Sequence, residues 1–261
     1  MTKLYDRSKY STMVVYAVDV GGSTLKHGDV AGATYAVSSN CVRVNAKQHT
    51  AQIRRPIERG YVVNWTLQGD IWQEALTVDP EATLLLTTPV FTPEKLLHTQ
   101  DEVVFEEFHM AGMANVIPQA MVPLTLSSPS PVHVIVDVGF SATHIVPWID
   151  GSFMHVHPTD TFPTCRHDRI DRVLRVGVEC IAVPEVLFHP SDIGIDQDGI
   201  AGGIADAIAA CPPFVQGQMY QHIVVTGGSS KFPHFIDRLR VDLRPLVPAE
   251  YALHVTLHDE Y

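Results

Sequence analysis

The chain has 261 residues, 46% hydrophobic and 18% charged, and a formal net charge of −11 at pH 7. That length and composition give a globular chain with a sizeable core, in one large domain or two small ones, and exclude a disordered one. The acidic balance excludes a general nucleic-acid surface, which needs a basic face to displace phosphate counterions; the run Arg166 to Arg175, with four arginines, is a local exception.

Chain order then gives a repeating pattern. Residues 13–19 (MVVYAVD) read as a buried strand, with Thr24 to Val30 returning as its hairpin partner and Thr34 to Val44 as a weaker strand. The stretch QHTAQIRRPIERG is polar and reads as a loop. Asn64 to Leu76 carries Trp65, Ile71, Trp72, Ala75 and Leu76 at helical spacing, with Asn64 as the N-cap. Ala82 to Thr88 is a short apolar run ending at Pro89, the pattern of a central strand. Pro93 to Phe108 reads as an amphipathic helix with Leu96, Leu97, Val103, Val104, Phe105 and Phe108 on one face. A second cycle follows: a strand over Val132 to Asp137, a meander over Thr143 to Trp148 and Phe153 to His157 around Asp150-Gly151, a helix over Gly199 to Ala210, a strand over His222 to Thr226, and a helix over Phe235 to Leu243. This alternation predicts sheets covered by helices, an α/β fold.

No run approaches the roughly 20 apolar residues of a membrane span. Cys41, Cys165, Cys180 and Cys211 are scattered without a CxxC pair, which fits reduced thiols in a cytosolic or nuclear protein. The polar start MTKLYDRSKYST lacks the signal-peptide pattern.

Two segments share one frame. "YAVDVGGSTLKHGDV" and "VIVDVGFSATHIVPW" each run from an apolar strand through Asp-Val-Gly and small polar residues into a second strand. A duplicated unit explains this economically; two unrelated strand-turn-strand units are the alternative. Two facing Asp-x-Gly hairpins are what a nucleotide clamp requires. Backbone amides in the turns, at Gly21, Gly22, Ser23, Gly139 and Ser141, point at phosphate oxygens, Lys26 adds a point charge, and Asp19 and Asp137 hold Mg²⁺ through water. A third turn, Gly227, Gly228 and Ser229 followed by Phe232, runs from a strand towards a helix and offers a flat backbone surface to an adenine and amides to its phosphates.

These three motifs, in this order, resemble the actin fold shared by actins, hexokinases and heat-shock chaperones. "RGYVVNWTLQGDIW", "TTPVFTPEKLLHTQDEVVFEEF", "VPEVLFHPSDIGIDQDGI" and "VVTGGSSKFPHFIDRL" extend the resemblance to the actin-related proteins. "LFHPSDIGI", "GYVVNW", "VFEEF" and "GFSATHIVPW" are most similar to the nuclear class found in histone-exchange chromatin remodellers. The resemblance implies an actin-like (ribonuclease H-like duplicated) α/β fold with two domains, residues 1–130 and 131–261. The second subdomain is then reduced to about residues 32–57 and the fourth to about 157–175. It also implies ATP or ADP with Mg²⁺ as the cleft ligand, protein subunits of a remodelling complex as partners, no sequence-specific nucleic-acid binding, no membrane, and residence in the nucleus or also the cytoplasm.

Departures from the family pattern shape the expected function. Phe140 stands where actins place a second metal-facing Asp, and an aromatic ring cannot hold waters around Mg²⁺. Gln119 occupies the place of the residue that orients the attacking water in actins, so Gln119 and Asp137 are the catalytic candidates if the cleft is active. Phosphoryl transfer depends on positioning and charge neutralisation, so a poor or absent ATPase is expected. The alternatives are an ATP-binding protein with weak ATPase or phosphotransferase activity, and a cytoskeletal actin-like protein. Other clusters read as structural: His155, His157, Cys165 and His167 lack a recognised zinc spacing, His144 reads as a packed strand histidine, and Asp192, Asp196 and Asp198 as caps of the helix near Gly199.

Overall fold

A computed structural model describes residues 14–32, 34–45, 51–127, 130–153 and 183–258. The first half opens with β1 (Val15–Val20), β2 (Thr24–Asp29) and β3 (Ala36–Ser39), followed by the small pairs β4 (Val42–Asn45) with β5 (Ala51–Arg54) and β6 (Ile57–Glu58) with β7 (Tyr61–Val62). It continues with α1 (Trp65–Ala75), β8 (Thr83–Thr87), α2 (Glu94–Glu102), β9 (Gly112–Val116) and α3 (Pro118–Thr125). The second half holds β10 (Val132–Val138), β11 (Thr143–Ile149), β12 (Ser152–Phe153), α4 (Ile200–Ala209), α5 (Pro213–Gln221), β13 (Ile223–Thr226), α6 (Phe235–Leu243) and β14 (Val255–Leu257).

Each half builds a five-stranded sheet, ordered β3-β2-β1-β8-β9 in one and β12-β11-β10-β13-β14 in the other. Position for position the orders are the same: an antiparallel meander of three strands, then two parallel strands beside the first of them. The duplication legible in the sequence is therefore a duplication of topology. Separate cores cover the sheets. Val18, Leu25, Trp72, Leu84, Leu86 and Val104 fill the first, and Val134, Val136, Ile200, Ile204, Met219 and Leu239 the second. Burial of such side chains stabilises by about 1.5–3 kcal/mol each.

Four local readings change. The expected strand over 34–44 breaks at Asn40, whose backbone N–H donates to the Ser23 carbonyl at 2.9 Å, drawing the chain towards the first glycine turn. The polar stretch 48–60 is more than a loop, since it contributes β5 and β6. The expected continuous helix over 93–108 ends as α at Glu102 and continues over Val103–Glu107 with π-type bonding, Phe108 N–H to the Val103 carbonyl at 3.1 Å. That wider turn keeps Val103 and Val104 buried but leaves Phe105 44% exposed. Among the described residues no side-chain hydrogen bond caps α4, whose N-cap is Gly199, so the capping expected of Asp192, Asp196 and Asp198 is not found there. The Asn64 cap is present, its Oδ1 accepting from Leu67 N–H at 3.0 Å. His155, His157, Cys165 and His167, and the segment 157–175, lie outside the described residues.

Candidate functional site

The middle strand of each sheet carries an acid near its end and then turns sharply. In the first half Gly21 N–H donates to the Thr24 carbonyl at 3.1 Å, and in the second Gly139 N–H donates to the Ala142 carbonyl at 3.0 Å. These are equivalent bonds at equivalent positions, so Gly22 and Phe140 hold the same place in two copies of one turn.

The strand registers extend the match. Lys26 pairs across the ladder with Asp19, and His144 with Asp137. Lys26 Nζ donates to Asp19 Oδ2 at 3.0 Å, while Thr87 Oγ1, from the end of β8, donates to Asp19 Oδ1 at 2.9 Å. Gln119, near the start of α3, donates from Nε2 to Asp137 Oδ2 at 2.7 Å. Each acid is thus held by side chains from neighbouring elements, at the carboxyl ends of parallel strands where open α/β sheets bind ligands.

Asp19, Gly21, Gly22, Ser23, Lys26, Gln119, Asp137, Gly139 and Ser141, with Gly227 and Gly228, line one cavity of about 420 Å³. That is within the usual range for small-molecule sites, about 300–1,000 Å³. Gly227 has φ +96°, and a Cβ there would meet the Val138 carbonyl oxygen at 2.3 Å, so only glycine lets β13 leave the sheet this close to β10. Two expected residues stand apart from the lining. Ser229 donates from Oγ to the Gly139 carbonyl at 2.9 Å and so props the second turn from behind. Phe232 packs against the second core.

The electrostatics are uneven. Burial pushes the Asp137 carboxyl above the usual carboxylate range, with neighbouring Asp19 acting in the same direction and His144 and Gln119 opposing. Burial lowers His144, against the pull of Asp137. Both ring nitrogens of His144 and the Oε1 of Gln119 are buried with no hydrogen-bond partner among the described residues. Buried polar atoms left so are costly unless water or a ligand satisfies them.

This donor set fits a phosphorylated ligand that brings its own hydrated cation. The two oxygens of Asp19 are already engaged, and among the described residues no cluster of three or more His, Cys, Asp or Glu could hold a metal directly. Asp19 and Asp137 would face such a cation through water, with the turn amides and Lys26 facing the phosphates.

Sequence reading misses several contributors: Thr87, Gly60, His144 and Lys231 in the lining, and Arg55 behind it. Thr87 was findable, since it ends the parallel strand beside Asp19. Arg55 was not. Its Nη1 lies 3.3 Å from the carbonyls of Gly22 and Ser23, and its guanidinium sits 4.6 Å from the centre of the Phe140 ring.

A profile of the actin family matches residues 7–161 and 168–260. Among characterised sequences the chain is 26% identical to actin-related protein 6 of Oryza sativa subsp. indica, over 94% of this chain and 89% of that protein. It is 26% identical to actin-related protein 6 of Arabidopsis thaliana, over 81% and 76% of the two chains. To actin-related protein 6 of Drosophila melanogaster it is 23% identical, over 73% and 71%.

Proposed function

The chain belongs to the actin family, and from that premise we propose that it is a docking subunit of a nuclear histone-exchange chromatin-remodelling complex, holding a nucleotide in its cleft without turning it over. The similarity to proteins named actin-related protein 6, together with the segments that resemble the nuclear class, supports the placement. One observation carries the absence of turnover. Phe140 takes the turn position where a metal-facing carboxylate would be needed, and the Arg55 guanidinium covers its ring. A carboxylate there would hold the waters of a nucleotide-borne Mg²⁺; a ring capped by a cation repels that cation instead.

A bound nucleotide supplies a polyanion that ties the two halves together. Around it Lys26 offsets phosphate charge, the amides of Gly21 to Ser23 and Gly139 to Ser141 orient the oxygens, and Gln119 and His144 gain partners for their buried polar atoms. The cleft thereby becomes a brace that fixes the relation of the two sheets and presents a constant surface to partner subunits. The intact pairs Lys26–Asp19 and Gln119–Asp137 favour the second reading, a weak ATPase.

Two measurements separate these readings. Purified chain with Mg-ATP should release no phosphate above the buffer rate over hours, whereas release at a rate typical of a conventional actin sinks the docking-only reading. Affinity purification from nuclear extract should recover histone-exchange subunits. Recovery of cytoskeletal filaments instead would overturn the placement.

A further inference from the structure

We infer that the cleft is built for a nucleoside diphosphate and rejects the triphosphate, with Phe140 and Arg55 setting that selectivity; the inference rests on the reading that the cleft holds a nucleotide. The two hairpin turns meet at Gly22 and Ser141, and a phosphate held by the tips of both turns at once would have to sit between them. That gap is already closed. A methyl group added at Gly22 would come within 2.7 Å of Ser141 Cβ and 3.5 Å of the Phe140 ring. Along the Gly22 Cβ direction there is no space even for a methyl group, so a phosphoryl group cannot enter between the turn tips there.

Contacts within the protein hold the gap shut. Gly60 N–H, from the tip between β6 and β7, donates to Ser141 Oγ at 3.1 Å and fixes the second turn from one side. From the other side Arg55 joins the turns, bonding the Gly22 and Ser23 carbonyls of the first while stacking on Phe140 of the second. A guanidinium over an aromatic face is attractive by about 0.5–2 kcal/mol, depending on how far it is desolvated. A third phosphate seated between the turns would have to displace this stack. Beside the seal the cavity keeps its volume, its two lysines (Lys26 and Lys231) and the third glycine turn, which is room and charge for two phosphates and a nucleoside.

The test is titration calorimetry on the full chain with Mg²⁺ present, comparing ADP with an ATP analogue whose β,γ-bridge is an imido group and so is not hydrolysed. ADP should bind at least about tenfold more tightly, a difference of about 1.4 kcal/mol. Phe140→Gly makes the second turn a copy of the first, and Arg55→Ala removes the cap. Each should tighten the triphosphate analogue and bring the two affinities within about threefold of each other. An analogue that binds the natural chain as tightly as ADP does overturns the inference by itself, as does a preference for ADP that persists unchanged in both folded variants. Binding of neither nucleotide to the natural chain removes the underlying reading instead. The comparison on the natural chain decides the matter even where a variant does not fold.

Discussion

Two buried amides hold the first glycine turn from beneath. Asn40 Nδ2 donates to the Gly21 carbonyl at 2.9 Å and to Gln68 Oε1 at 3.2 Å, while Gln68 Nε2 returns a bond to Asn40 Oδ1 at 3.0 Å. Both side chains are fully buried, so removing one strands the other without water. Asn40→Ala or Gln68→Leu should each cost about 1–3 kcal/mol in urea unfolding. The double variant should cost less than the sum, because the second change removes a partner already orphaned. Additive costs would show that the pair does not act as a unit. Neither amide was legible in the sequence, and the reason is physical. Asp19, Lys26 and Asp137 sit within short motifs whose residue types already imply their chemistry. Asn40, Gln68 and Arg55 acquire roles only when folding brings them against carbonyls 15 to 33 positions away. Nothing local in a lone Asn or Arg marks it in advance.

Helix α1 was legible in full outline, because its apolar spacing, its Asn64 cap and its two tryptophans all point the same way. Trp72 stands edge-on to Trp65, ring centres 5.8 Å apart, and edge-on to Phe108 at 5.6 Å. It is the anchor that fastens α1 and the end of the π-type turn over the first sheet. Trp72→Ala should therefore cost about 3–5 kcal/mol in urea unfolding. Trp72→Phe keeps the aromatic packing and removes an indole N–H that has no acceptor among the described residues, so it should cost about 1 kcal/mol. Equal losses would mean that ring size and not ring stacking governs the site. The elements that escaped the pattern are those whose own residues argue against them. The chain over α3 contains Pro123 within the helix, and β9, Gly-Met-Ala-Asn-Val, shows no alternation; both owe their form to the neighbours they pack against. The π-type segment escaped for a related reason. Its apolar residues keep helical spacing, and only the hydrogen bonding reveals the rotation that turns Phe105 outward.

The matched strand orders mean that one half's chemistry can be read against the other's, and histidines mark where the copies diverge. His144 holds the place of Lys26, so the second half has an imidazole where the first has a lysine side chain. Burial lowers the pKa of His144, and also of His133, beside His222 in the second sheet, and of His27, which is hydrogen-bonded to Tyr16 and Ser38 in the first. Each of these groups takes up protons more readily unfolded than folded. Below the ordinary histidine value, about 6.5, the unfolded chain gains protons that the folded chain refuses, so stability is fully present above that pH and is lost as pH falls through it. Asp137 works in the opposite direction, since its raised pKa lets the folded state accept a proton first. That contribution opposes the loss from the histidines, so the two must be separated by substitution. Asp137→Asn removes the opposing carboxyl, and in that variant urea midpoints measured from pH 8 to pH 5 should be flat above about pH 7 and then decline. His133→Gln, which removes one buried imidazole and its repulsion with His222, should make the decline shallower. A midpoint that rises on acidification in the Asp137→Asn variant would mean that the buried histidines of the two sheets gain protons on folding, the reverse of what their burial dictates.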